Sequence, residues 1–213
     1  MKRLMLLCIV FAGLGCSAQS IQDFFSDKAG NVSWLGIDYS HVLLRGEFTH
    51  FKDAAPMNPE EIKYKYFPAW NSLILNESNK YDFRGMFMLS NLVPDIVMIT
   101  NVNAASDAGK MTQEPKTPLN CEGVAKIVRD YDLTDKEGLA IVFIADVLDK
   151  NSETAGYFIT ILDMKTKEVI LCEHVTEKAG GIGVRNYWAG SLYNLVKDVK
   201  RNLYWVWKGK YVK

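Results

Sequence analysis

Three strand-forming segments follow one another between residues 139 and 175, and they restrict the fold more than any other feature of the sequence. Leu139 to Leu148 is apolar almost throughout, which is typical of a strand at the centre of a sheet. Tyr157 to Leu162 and Glu168 to Val175 are joined by the short polar segment 163–167, which predicts a tight turn. The sequence therefore predicts a sheet that contains a hairpin.

The rest of the chain alternates between strand-forming and helix-forming segments, and nothing repeats internally. With a signal removed, residues 19–213 are enough for one sizeable core. The predicted order is β-α-β-α-β-β-β-α, which indicates a single α/β (α+β) domain, a two-layer sandwich of helices on a mixed sheet. The further predicted elements are a long strand at 32–44, a helix capped by Asn58-Pro59-Glu60-Glu61, a buried strand at 94–102, an exposed loop at 103–119, a helix from Asn120, and a helix from Trp188 to Leu203.

Residues 1–18 have the pattern of a cleaved export signal. A short basic start precedes about a dozen apolar residues, fewer than the ~20 that a membrane span needs. Small residues at 16 and 18 form a signal-peptidase site, so cleavage is expected after Ala18. The segment Ser17-Ala18-Gln19 resembles the start of secreted proteins of Bacteroides-type bacteria. We therefore expect a periplasmic or extracellular protein without a transmembrane span. The alternative is an outer-membrane lipoprotein acylated at Cys16.

Charge and cysteine content narrow the function further. The chain has 25 basic and 25 acidic residues, and loss of Lys2 and Arg3 with the signal leaves 23 against 25. This balance lacks the basic character of a general nucleic-acid-binding protein, so no nucleic-acid partner is predicted. Cys121 and Cys172 remain. Either they pair and close a loop of about fifty residues, or they stay separate as small buried thiols.

The hairpin segment Phe158-Ile159-Thr160-Ile161-Leu162-Asp163 and Thr166-Lys167-Glu168-Val169-Ile170-Leu171 resembles a group of envelope domains. These are the N-terminal domain of TolB, the curli-secretion lipoprotein CsgG and the penicillin-binding-protein activator LpoB. The resemblance covers roughly residues 92–203, and Lys167 stands where those domains usually have glycine. It implies a layered fold and a non-enzymatic envelope adaptor, and it brings no catalytic residues.

Cys172 and His174 are two positions apart on a predicted strand, so their side chains face the same side of the sheet. With Cys121 they would supply three zinc ligands, or Cys172 would act as a thiolate beside the imidazole. A structural zinc site needs four ligands in recognisable spacing pairs, and these are missing. We expect instead that Cys172 faces the core near the end of its strand and that His174 lies at the margin.

Asp38, Ser40 and His41 have the side chains of a serine hydrolase. On one continuous strand, however, Ser40 and His41 face opposite sides and cannot cooperate directly. No G-x-S-x-G motif occurs in the chain, and the pair His50 and Asp53 has no further support. The sequence therefore predicts no catalytic residue, no metal site and no cofactor.

The glycine-rich segment 180–186 precedes the last predicted helix. Backbone N–H groups at Gly181 and Gly183, with Arg185 and Asn186, are candidates for binding an anion or another ligand. A dinucleotide fingerprint is not formed, because Asn186 occupies the third glycine position. The alternative, which we favour, is that the glycines make a sharp connection and Asn186 caps the helix.

The C-terminal segment mixes aromatic and basic residues. Trp205 and Trp207 alternate as in a strand, with Tyr204 and Lys208 beside them. These four residues predict an interaction surface, either a membrane-interface contact or a partner-binding strand. The alternative is a terminal strand that lays the tryptophans over the core of the domain.

These observations favour an exported, non-catalytic envelope or surface protein that binds another macromolecule in an adaptor or accessory role. Its partner would be an envelope protein or a glycan. The alternative function is a periplasmic protein that binds a small molecule or a glycan, or hydrolyses one. For that function Trp34, Trp70 and Trp188 are the candidates for stacking on sugar rings.

Overall fold

Six strands form one mixed sheet in the computed structural model, which describes residues 20–26, 28–48 and 58–212. The predicted class, a mixed sheet with helices packed against it, is confirmed. The sheet order is β3-β1-β4-β5-β6, and β2 pairs with β4 beyond the end of β1. The strands are β1 (Val32–Asp38), β2 (Leu43–Arg45), β3 (Leu92–Pro94), β4 (Leu139–Asp149), β5 (Thr154–Asp163) and β6 (Glu168–Lys178).

Strand β4 is the centre of the sheet, as its apolar sequence predicts. Strands β1 and β2 pair with it in parallel, and β1 also pairs in parallel with β3. On the other side β4, β5 and β6 form an antiparallel meander, which contains the predicted hairpin. The meander lies close to its predicted boundaries because β4 and β5 are apolar and the turns that separate the strands are polar.

Short helices connect and cover the strands. The predicted cap at Asn58 is confirmed, since its side chain accepts from the Glu61 N–H at 2.9 Å. Asn120 caps its helix in the same way, accepting from the Gly123 N–H at 2.9 Å. The helices are α1 (Ile21–Phe25), α2 (Pro59–Glu61), α3 (Phe67–Asn71), α4 (Leu73–Asn76), α5 (Phe83–Met86), α6 (Val97–Ala105), α7 (Cys121–Asp130), α8 (Val184–Asp198) and α9 (Tyr204–Tyr211), with π-helical turns at Ile62–Tyr66 and Val199–Leu203 and a 3₁₀ turn at Ala108–Lys110. Within the described ranges no helix has the length and apolarity to cross a membrane.

Helices cover both faces of the sheet, which gives three layers where the sequence predicts two. Alternate residues of β4 enter two separate clusters, Ile141 and Phe143 on one face and Ala140 and Val142 on the other. The first face packs against helices α3, α5, α8 and α9, and the second against α6 and α7. A central strand that is apolar on both sides needs cover on both faces, and this is the physical reason for the third layer.

Two predicted strands are helices. Residues 97–102 of the predicted strand 94–102 lie in α6, which also includes residues 103–105 of the predicted loop. In this helix Ile99 and Asn103 are buried and Val97 is exposed, a helical spacing. The C-terminal strand predicted around Trp205 is α9, because Tyr204 and Trp207, three positions apart, share the buried side. In both segments apolar content alone does not distinguish a short helix from a strand.

Candidate functional site

A cleft of about 690 Å³ opens at the carboxyl end of β1, beside the parallel part of the sheet. Residues 40–43 and Arg45 line one side of it, side chains of the segment 107–119 line another, and Asp146 and Val147 of β4 complete it. Strand β3 lies on one side of β1 in the sheet, and β4, which comes later in the chain, lies on the other side. The cleft therefore lies at the switch point of the parallel strands, the position where open α/β sheets bind ligands.

Two buried asparagines determine how β1 ends. Asn71 accepts from the Ile37 N–H at 2.6 Å and donates to the Ile37 carbonyl at 3.0 Å. Asn103 accepts from the Tyr39 N–H at 2.7 Å and also donates to the Ile37 carbonyl, at 2.9 Å. These amides take the place of a neighbouring strand beyond the short β3, so the backbone of β1 stays satisfied up to the cleft.

The long first strand predicted through Leu44 is interrupted, and this changes the relation between Ser40 and His41. Strand β1 ends at Asp38, and the Val42 N–H donates to the Tyr39 carbonyl at 3.1 Å across a turn. In this turn Ser40 Oγ and His41 Nδ1 share a hydrogen bond of 2.8 Å. The prediction that the two side chains face opposite sides is wrong, because strand alternation does not apply within a turn.

Asp38 lies beneath this turn and is fully buried. Its carboxylate accepts from the Ser40 N–H at 2.7 Å and from the Tyr131 hydroxyl at 2.6 Å. Burial, together with the nearby charge of Asp38, raises the pKa of Tyr131 well above its ordinary value, so the hydroxyl remains a donor. Asp38 thus holds the turn and does not contact His41. Within the described ranges His41 Nε2 has no hydrogen-bond partner, so the third, orienting group of a triad is missing there.

Asp146 enters the cleft through an irregularity of β4. The pairing of β4 with β5 shifts between Ala145 and Val147, which makes Asp146 the extra residue of a β-bulge. Bulges redirect a side chain and are common beside functional sites. The Asp146 carboxylate lies 3.0 Å from His174 Nε2, and the His174 ring packs on Phe158 with centroids 4.6 Å apart. A charged residue inside an otherwise apolar strand is the sequence signal that would have indicated this position.

The segment 107–119 is held across the cleft by β2. Arg45 makes two parallel hydrogen bonds to Glu114, of 2.8 and 3.0 Å, and a third to Asp149 at 3.2 Å. The hydrogen bonds from Arg45 lower the pKa of Glu114, so this pair stays ionised at more acidic pH. The Leu44 N–H also donates to the Met111 carbonyl at 2.6 Å. Residues 69 positions apart thus form this wall, and no local pattern predicts that contact.

A disulfide fastens the far end of the same wall. Cys121 and Cys172 are bonded, with their Cα atoms 5.9 Å apart, and this joins the start of α7 to β6. The thiolate and zinc hypotheses for Cys172 do not apply to this state, since its sulfur is in the disulfide. Among the described residues no group of three or more His, Cys, Asp or Glu side chains is placed to hold a metal ion. His50 and Asp53 lie outside the described residues, as do residues 1–18.

The glycine-rich segment folds back onto α8. Gly181 and Gly183 have φ values of +142° and +79°, and the Gly180 N–H donates to the Tyr187 carbonyl at 2.9 Å. The prediction that Asn186 caps the helix is wrong, because Gly183 occupies the cap position and Asn186 lies inside α8. The guanidinium of Arg185 pairs with Glu77 and donates to the Asn186 side chain at 3.0 Å. An anion at this loop stays a prediction, and Arg185 would have to leave Glu77 to serve it.

The tryptophans divide into buried and exposed groups. Trp34, Trp70 and Trp188 are between 0% and 1% exposed, so none of them is available to stack on a sugar ring. In the C-terminal segment Tyr204 and Trp207 are buried, while Trp205 is 55% exposed.

No protein-family model, no curated protein and no solved structure matches this chain. The geometry of the cleft and of the exposed surfaces is therefore the basis for a proposed function.

Proposed function

We propose that the protein binds a small organic molecule in the cleft at the carboxyl end of β1. The observation that carries this proposal is the meeting of Ser40, His41 and the bulged Asp146 at one cavity of about 690 Å³. This volume is within the usual range of small-molecule sites, which are mainly apolar with a few polar groups that orient the ligand. Val42, Leu43 and similar residues supply the apolar part here.

The lining indicates the chemistry of the ligand. Acidic Asp146 and basic Lys110 both face the cavity, so a ligand with hydrogen-bond donors as well as acceptors fits it. None of the described lining residues is Phe, Tyr or Trp. A flat sugar face would find no stacking platform there, which favours a compact polar molecule over a glycan chain.

The proposal is tested by ligand-observed NMR of the protein against a panel of amino acids, short-chain acids, nucleosides and monosaccharides. We expect saturable binding of at least one compound to the unmodified protein. Ser40→Trp, whose indole fills the cleft, should bind that compound at least about tenfold more weakly. Thr134→Trp is the matched control. Thr134 is exposed and precedes the amino end of β4, whereas the cleft lies near the carboxyl end of that strand. No binding to the unmodified protein, or equal binding to both variants, would refute the proposal.

The sequence predicts two other functions, hydrolysis and an adaptor role. Hydrolysis would use Ser40 and His41, but this pair lacks an orienting group within the described residues, and binding alone requires none. An envelope adaptor would use the C-terminal segment, where Trp205 and Val206 are exposed. The adaptor function does not depend on the cleft, whereas hydrolysis would take place in it, and each function stays a prediction.

A further inference from the structure

Helix α9 exposes two adjacent large apolar side chains. Trp205 is 55% and Val206 is 61% exposed, whereas Tyr204 and Trp207 on either side of them are each 3% exposed. The two buried residues attach α9 to the core, for example through the Tyr204 ring, whose centroid lies 5.4 Å from that of Phe25. The exposed pair contributes little to that attachment, so its apolar surface is available for another contact.

The surroundings of this pair are basic. Residues 197–210 contain five Lys or Arg residues and one acid, Asp198, whose carboxylate accepts from Asn202 at 2.6 Å. Two of the five cations pair with acids of other elements, Lys200 with Asp82 and Lys210 with Glu173. Arg201 is exposed, lies about one turn before Trp205 and has no ion pair within the described part of the chain. Lys208 follows by about one turn, with its ammonium 5.8 Å from the Trp205 ring. An exposed tryptophan between cations is the combination that favours an anionic membrane surface.

The beginning of the described chain lies beside the same helix. Gln22 donates to the Tyr211 carbonyl at 3.5 Å, and Phe25 packs on Tyr204. Cys16 precedes Ser20 by four residues, which span at most about 14 Å when extended. A lipid at Cys16, predicted as an alternative from the sequence, would therefore hold the α9 side of the domain at the bilayer.

We propose that α9 docks on an anionic lipid bilayer, with Trp205 and Val206 in the interfacial region and Arg201 and Lys208 at the lipid phosphates. The contact is independent of the cleft and does not require a lipid at Cys16. Each of the two cations is expected to strengthen binding about fivefold at physiological ionic strength, and high salt removes this part of the affinity.

The test uses the protein exported from a gene that encodes Cys16→Ser, so that an acyl group cannot account for binding. Co-sedimentation is measured with vesicles of phosphatidylcholine alone and of phosphatidylcholine mixed with phosphatidylglycerol. We expect binding to the anionic vesicles with a blue shift of tryptophan fluorescence, and about tenfold weaker binding of Trp205→Ala/Val206→Ser. Leu75→Ala/Val97→Ser is the matched control, since those side chains are 46% and 68% exposed on other elements.

The result that overturns the proposal is absence of binding to anionic vesicles, equal binding to neutral ones, or no loss in the Trp205→Ala/Val206→Ser variant. Cross-linking in cells distinguishes a protein partner from a lipid bilayer. If vesicles are not bound but the same variant loses a reproducible cross-link to an envelope protein, the face serves that protein and the bilayer proposal is wrong.

Discussion

At the scale of single residues, the carboxyl end of β1 depends on the close approach of Gly36 to a side-chain amide. Gly36 has φ of +112°, and a Cβ built there would lie 2.7 Å from Asn71 Oδ1 and 3.3 Å from Ile99 Cγ2. That same Oδ1 accepts the Ile37 N–H inside the core. A methyl group at this position would displace the amide that satisfies the strand leading to the cleft.

Gly36→Ala is therefore expected to lower the free energy of unfolding by about 2–4 kcal/mol. Backbone strain contributes about 1–2 kcal/mol, and weakening of the buried Asn71 hydrogen bond contributes the rest. Gly30→Ala is the matched control, because Gly30 also has positive φ, at +68°, but a Cβ there meets nothing within 4 Å. Urea unfolding of both variants measures the difference. Equal losses would show that the contact with Asn71 carries no extra free energy.

At the scale of elements, a segment is predicted correctly where the local pattern of polar and apolar residues determines its secondary structure. Strands β4 and β5 are apolar runs, polar turns separate β4, β5 and β6, and the caps at Asn58 and Asn120 are local hydrogen bonds. Helix α6 was not predictable in this way, because its sequence is as apolar as a buried strand. Its helical state is supported by distant contacts, such as that of Asn103 with the backbone of β1.

The same limit applies to the cleft. Ser40 and His41 are recognisable as reactive types, but their proximity depends on where β1 stops, and distant amides influence that. The bidentate contact of Arg45 with Glu114 joins two segments that have no common local pattern. Residue types are therefore predictable here, whereas their arrangement depends on the tertiary structure.

The packing of β6 on α8 includes an acid whose ionisation is unfavourable. Burial, and then the nearby charge of Asp198, raises the pKa of Glu177 to about 7. The folded protein therefore holds a proton on Glu177 that the unfolded chain releases near pH 4.5. Stability from this group falls as pH rises from about 4.5 to about 7, and is constant above that range.

Replacing this acid removes the unfavourable charge. Glu177→Gln is expected to raise the free energy of unfolding at about pH 8 by about 1 kcal/mol, a value reduced because the carboxyl is partly exposed and screened. At about pH 4 the gain should vanish. Urea unfolding at both pH values measures it, with Glu168→Gln, at the exposed start of β6, as control. A gain that is independent of pH would contradict the role assigned to the charge.

At the scale of the whole molecule, a disulfide joins the chain that follows one wall of the cleft to the edge of the sheet. The segment 107–119 is held to β2 by Arg45 and Glu114, and the Cys121–Cys172 disulfide then ties its continuation to the edge strand β6. The bond spans 51 positions of the chain and includes β4 and β5 in its loop. It therefore restricts the unfolded chain strongly, and it positions one wall of the cleft relative to the sheet.

Cys121→Ser/Cys172→Ser is expected to lower the free energy of unfolding by about 3–4 kcal/mol, the chain-entropy value for a loop of this length. Cys121 is exposed, so a reductant reaches the bond in the folded protein. Dithiothreitol should therefore lower the urea midpoint of the unmodified protein to that of the double variant, and should leave the variant itself unchanged. This comparison separates loss of the cross-link from any effect of the serine side chains. The expectation would be contradicted if the reductant left the urea midpoint unchanged and the double variant had the midpoint of the unmodified protein. In that case the loop from α7 to β6 is held by its packing, and the cleft wall does not depend on the covalent bond.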